Sequence, residues 1–383
     1  MIFKKISSLI LFLVLLIAGL FSNISFAAAQ VPKADENIEN VQQVLFEAKV
    51  TEVIQEREIV RPGGSKAKQQ NLRLLGLTGE FKGRVVTFNG ISEVDVANSQ
   101  NYKIGDRVVV NYVKSIQGED EYYVVDFVRR GYLYALAIIF ALTVLAVGRW
   151  KGLKSIVGLV LSFVVIMYFI LPLILNGHNP LLVGLTGSFL ILTIIIYITE
   201  GLNKKAHLAI VSILLSLSII LFLSWLFTKL TRLTGLAQEE AVFLIGATNT
   251  PVNFQGLLLA GILIGAVGVL DDVIVGQIEA VKQIREANPN YTLWQTFRAA
   301  YTIGNTHLGA IVNTLFLTYT GASLPLLLLF KLNQNPPVGF TQAINNEVIA
   351  TEIVRTLVGS IGVALSLPLA TFLAASLVSR QNK

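Results

Sequence analysis

GYLYALAIIFALTVLAVGRWKGLKSIVGLVLSFVVIMYFILPLIL (131–175) decides the reading of the chain. Two apolar runs of about twenty residues flank the basic joint RWKGLK, and each run matches the ~30 Å hydrocarbon core of a bilayer at 1.5 Å per helical residue. Further runs follow at roughly 180–199, 206–227, 254–275, 303–330 and 354–378. With 132–148 and 155–175 these make seven predicted spans, or eight if the N-terminal segment is retained. The chain is 54% hydrophobic and only 14% charged, which excludes a soluble fold.

Basic residues predict the orientation. Arg149, Lys151 and Lys154, then Lys204 and Lys205, then Lys282, Arg285 and Arg298, and finally Arg380 and Lys383, fall in alternate connections. Those connections, and the C-terminus, are expected in the cytoplasm. Lys229, Arg232 and Lys331 are exceptions on the opposite side. The formal net charge of +6 is explained by this topology and by anionic headgroups; no nucleic-acid partner is expected.

Upstream, MIFKKISSLILFLVLLIAGLF (1–21) and SFAAAQ (25–30) have the build of a signal peptide, so residues 1–29 are read as a cleaved signal or an uncleaved first span. Either places residues 30–130 outside. There the pattern changes to alternating apolar and polar positions, in VLFEAKVTEVI (44–54), NLRLL (71–75), GRVVTFNGI (83–91), DRVVVNYV (106–113) and YYVVDFV (122–128). Turn residues in RPGG, FNG, IGD and QGED separate them. The rhythm predicts five antiparallel strands in a small OB-like β-barrel. An exposed aromatic stacking set is missing from its second and third strands, so docking of a protein partner is expected rather than oligonucleotide binding. Residues 131–379 form the multi-span domain.

Polar groups inside spans are costly and are where function is sought first. Three stretches carry them: GVLDDVIVGQ (268–277), GNTHLGAIVNTL (304–315) and EIVRTLVGSIG (352–362). In the first, Gly261, Gly265, Gly268, Asp272 and Gly276 share one helical face, which predicts that Asp272 points into packed protein. Asp271 lies about 100° away and is expected to meet another neighbour or the cytoplasmic interface. In the second, Thr306, Gly309, Asn313 and Thr320 line one face, with His307 and Thr314 on the adjoining one. His307 and Thr306 should reach the depth of the two aspartates, where a carboxylate beside an imidazole suits a proton relay. Glu352 and Arg355 stand at i and i+3 near the outer end of the last span. Blander roles compete with each of these. An aspartate can cap the following cytoplasmic helix, His307 can be a hydrogen-bonded core residue, and Glu352 with Arg355 can be a structural pair. The outer stretch IGATNTPVNFQG (245–256), with Asn249, Thr250 and Asn253, reads as a re-entrant segment or as an ordinary loop capping the next helix.

Those three stretches, in that order, resemble the YibE/F family of bacterial membrane proteins over most of residues 40–380. The resemblance implies a bacterial plasma-membrane protein without an agreed activity. One departure is that Asn305 and Thr306 stand where the family's segment is expected to carry an Arg-Asp pair. More distantly, GVLDDVIVGQIEAVKQIREANP (268–289) is similar to a span and cytoplasmic helix of SecD, SecF and the resistance-nodulation-division permeases. That likeness implies a proton-linked acid at Asp271 or Asp272.

The functional expectation is a secondary transporter or proton-coupled export accessory. The alternative is a non-transporting membrane scaffold whose β domain docks a partner. An enzyme is not expected: HExxH, GxSxG, a P-loop and cysteine are all missing. Nor is a cofactor or a metal, since His178, His207 and His307 are scattered. The bilayer, a protein met by the β domain and a second copy of the chain are the expected partners.

Overall fold

The computed structural model describes residues 43–60, 64, 66–91, 101–114, 120–247, 251–332 and 339–380. The expected signal peptide or first span, residues 1–29, lies outside the described residues. Two compact units meet in sequence between Thr143 and Val144.

The first unit is a sheet of five antiparallel strands, β1 (Gln43–Val60), β2 (Lys66–Gly76), β3 (Val85–Asn89), β4 (Arg107–Lys114) and β5 (Asp120–Phe127), in the order β3-β2-β1-β4-β5. The long β1 pairs with β4 over Gln43–Lys49 and with β2 over Ala48–Val60. Register shifts between Val50 and Glu52 and between Val53 and Gln55 bend it, as bulges do. Five strands thus stand where the alternation placed them, and the ladder is a curved half-barrel with β3 and β5 as its two ends. Period two puts Phe46, Ala48 and Val50 of β1 on one face, buried with Leu72, Leu74, Val108 and Val110. Phe81 closes this core, stacked on Phe46 with ring centroids 4.4 Å apart.

The second unit is helical. Helix α1 (Arg130–Val165) begins in the first unit and runs through a π-helical turn (Ile166–Ile170) to Leu171–Leu175. Arg149, at φ 47° and ψ −122°, breaks it inside the basic joint. Then come α2 (Pro180–Thr199), α3 (Lys204–Leu230), α4 (Glu239–Ala247), α5 (Phe254–Ala287), α6 (Leu293–Ala322), α7 (Leu324–Lys331), α8 (Phe340–Asn345) and α9 (Glu347–Arg380). Side-chain caps set four of the starts. Asn179, Asn203 and Asn253 accept from backbone N–H groups of the first turns of α2, α3 and α5, and Thr292 with Gln295 forms a capping box on α6.

Among the described residues, five helical segments are long and apolar enough to cross a membrane: Arg130–Leu175, α2, α3, α5 and Glu347–Leu377 of α9. Helix α6 is not among them, because Asn305, His307, Asn313 and its threonines dilute the apolar run expected over 303–330. That run is also interrupted at Ser323, where α6 gives way to α7. Helices α5 and α9 are central: their most apolar stretches are 56% and 50% buried, against 17% for Arg130–Leu175. Small residues bring the helices close. A Cβ at Gly184 of α2 would stand 2.5 Å from that of Ala260 on α5, and one at Gly362 of α9 would collide with Ile220 of α3.

Candidate functional site

The buried side of α5 is its widest apolar face, made by Ile262, Leu263, Ala266, Leu270 and Ile274. Between spanning helices there is no water to exclude, so what favours these residues inside is the larger van der Waals contact that they make with neighbouring helices. The glycine face is left outward: Gly261, Gly268, Asp272 and Gly276 are exposed on this chain, and Gly265 is half-covered against Tyr319. This corrects the expectation for the aspartates. Asp271 is the partly buried one, with its Oδ1 enclosed and unpartnered, and Asp272 is the exposed one.

Two cavities flank this part of α5. One, of about 350 Å³, is lined by Asp271, Asp272, Gly276, Glu200, Lys151 and Lys154. Three carboxyl groups and two ammonium groups therefore border a single space. Lys154 is tethered there, its Nζ donating to the Thr199 carbonyl at 3.0 Å. The other, of about 320 Å³, is lined by Asp272, Gly276, Gln277, Gly304 and His307. Asp272 and His307 thus share a cavity, as the antiparallel reading of the two stretches anticipated. No hydrogen bond or ion pair joins them among the described residues. Asp272 and Gly276 border both spaces.

Gln277 fixes the floor of the second cavity. It is buried between α5, α6 and α9, and its Oε1 accepts from the Thr371 hydroxyl at 2.8 Å. A Cβ at Gly304 would collide with the Gln277 amide, so α6 approaches there because glycine lets it.

The remaining predicted residues lie elsewhere. Helix α6 buries Thr296, Ala300, Gly304 and Leu315, which turns Thr306, Asn313 and Thr314 outward, away from both cavities. The hydroxyls of Thr306 and Thr314 donate back to the carbonyls of Thr302 and Ala310 on their own helix. Glu352 and Arg355 pair at 3.2 Å, both largely buried, and Arg355 Nε has no partner. Asn253 caps α5 at Gly256 N, 2.9 Å away, while Asn249 and Thr250 lie outside the described residues. Glu200, Lys151, Lys154 and Thr371 were not candidates from the sequence. Gln277 ends one of the quoted stretches, yet only its neighbours on two other helices reveal its place. Among the described residues no three His, Cys, Asp or Glu side chains are placed so that they could hold a metal ion together.

The sequence profile of a family described as YibE/F-like protein matches residues 136–380. No curated protein and no solved structure matches the chain.

Proposed function

The chain belongs to the YibE/F-like family, and from that premise we propose that it is a secondary transporter or proton-coupled export accessory in which Asp272 hands protons between two cavities. The reading rests on one observation: Asp272 borders both the cavity of Asp271, Glu200, Lys151 and Lys154 and the cavity of His307. A carboxylate standing at such a junction can exchange a proton with acids on one side and an imidazole on the other. Gly276, at the same junction, presents no side chain to block the way.

In this reading the cell is bacterial, the protein sits in its plasma membrane, the OB-like β domain is outside and the C-terminus is cytoplasmic. The break at Arg149 divides Arg130–Leu175 into two spans, and α6 with α7 supplies another. The outward polar face of α6 is covered by a second copy, because lipid offers the exposed Asn313 amide no hydrogen-bond partner. No chemical step on a bonded substrate is assigned.

The test is proton movement into vesicles reconstituted with the whole chain, followed with an internal pH dye across a panel of candidate substrates. Asp272→Asn should reduce coupled proton flux at least about tenfold, as loss of a required proton carrier does. Flux equal to the parent's would exclude Asp272 from the path.

A second reading, a scaffold whose β domain docks a protein, draws on β5. That strand is at the end of the ladder, with Tyr123 and Val125 on its open face 47% and 53% exposed. Site-specific crosslinking from Tyr123 that captures one stoichiometric partner, in a protein that moves no protons, would favour it.

A further inference from the structure

A further cavity of the helical unit lies apart from both aspartates. It encloses about 1120 Å³ among α3, α5 and α9, and its wall and rim differ in chemistry. Leu208, Val211, Ile278 and Leu373 make an apolar wall, and Lys204, Lys205, Lys282 and Arg285 stand around its mouth. Leu208 and Leu373 belong to spans, whereas Lys204 opens α3 and Arg285 lies in the last turn of α5. The groove is therefore apolar toward the membrane interior and cationic at the end of the spans.

The four cations are not equivalent. Lys205 pairs with Glu279 at 2.9 Å, and Lys282 lies 3.6 Å from Glu279 and 3.4 Å from Glu286. These two are neutralised within the protein. Lys204 and Arg285 have no carboxylate partner among the described residues. Arg285 is also half-buried with its Nε enclosed and no acceptor supplied to it. That Nε–H is closed off from the groove, so what Arg285 offers an anionic oxygen there is its unpaired guanidinium charge, through charge-assisted bonds from the terminal N–H groups.

From these features we propose that the groove is a binding site for an anionic phospholipid. Its phosphate lies between Lys204 and Arg285, and the upper part of an acyl chain lies along Leu208, Val211 and Leu373. Charge complementarity selects the sign of the headgroup, and the apolar wall selects a lipid over a free phosphate ion. A neutral zwitterionic headgroup would leave the excess cation uncompensated. The site is independent of the proton path: none of its lining residues borders the Asp272 cavities.

The experiment is retention of lipid by the purified full-length chain in detergent, read by native mass spectrometry during titration with phosphatidylglycerol or phosphatidylcholine. Phosphatidylglycerol should remain bound where phosphatidylcholine is stripped. Lys204→Gln with Arg285→Gln should weaken phosphatidylglycerol retention about tenfold, each cation at a membrane surface being worth several-fold. Leu373→Trp, which fills the groove and keeps its charges, should weaken it as well. A matched pair on exposed positions outside the groove, Arg149→Gln with Arg298→Gln, should leave it unchanged. Equal retention by the parent and both groove variants would overturn the proposal, as would equal loss from the matched pair. Displacement of the bound lipid by inorganic phosphate would also overturn it, and would assign the groove to a soluble anion.

Discussion

Polar side chains are paired in both units of the molecule, but in opposite surroundings. On the half-barrel, Lys66 meets Glu58 at 3.1 Å, Lys68 meets Glu56 at 2.5 Å, and Arg73 meets Glu52, each across β1 and β2 with water around it. In the helical unit the pairs at the ends of helices, such as Lys205 with Glu279, are equally open, but two between the spans are enclosed: Gln277 with Thr371, and Glu352 with Arg355, whose side chains are 17% and 21% exposed. Water replaces a lost partner on the sheet and screens the charges there. Between helices nothing replaces it, so the same chemistry carries a much larger penalty when broken.

Four substitutions grade that contrast. Arg355→Leu strands Glu352 between helices and should destabilise the helical unit by about 3 kcal/mol, seen as a lower thermal midpoint in detergent. Gln277→Leu removes one acceptor of Thr371 but leaves the Leu367 carbonyl, 2.6 Å from the same hydroxyl, so it should cost no more than about 1 kcal/mol by the same assay. An Arg355→Leu variant as stable as the parent would show that water reaches Glu352.

The two smaller effects belong to the sheet. The Tyr112 hydroxyl donates to Asp120 at 2.6 Å, and that bond pushes the phenol up to about 12. The folded state therefore holds this proton more tightly than an unfolded chain, whose tyrosine titrates near ~10. The bond's contribution is complete below about 10 and is lost as pH rises from there through about 12. Tyr112→Phe should accordingly remove one late step from an ultraviolet difference titration and change stability little at neutral pH. Lys66→Gln, least of all, should leave the thermal midpoint unchanged, because Glu58 is half exposed and rehydrates. A drop comparable to that of Arg355→Leu would erase the distinction between enclosed and open pairs.

The strands and most helices are legible in the sequence because both rest on local periodicity. VLFEAKVTEVI alternates and folds as β1; the apolar runs end at Asn179, Asn203 and Asn253, which cap the helices that follow. Helix faces are less legible, since a stripe of glycine marks close packing only when no wider apolar face competes. On α5, Leu263, Leu270 and Ile274 compete and win, so Asp272 turns outward although its spacing with Gly268 and Gly276 is regular. On α6, the threonines and Asn313 are regularly spaced too, yet Ala300, Gly304 and Leu315 make the buried side. That Asp272 and His307 border one cavity could be anticipated because two consecutive antiparallel helices bring equal depths together. Glu200 and Lys154 could not, as they come from α1 and the end of α2, and no local pattern records that pairing of spans.

The bare seam of α5, where Gly261, Gly268 and Gly276 have open space around them, has a mechanical consequence. A body resting on it would meet few knobs, Tyr319 over Gly265 and Asp272 being two, so sliding by a fraction of a helical turn would require few side chains to change rotamer. Such a surface behaves as a bearing and not as a lock, and Asp272 is the one charged group that would register the movement.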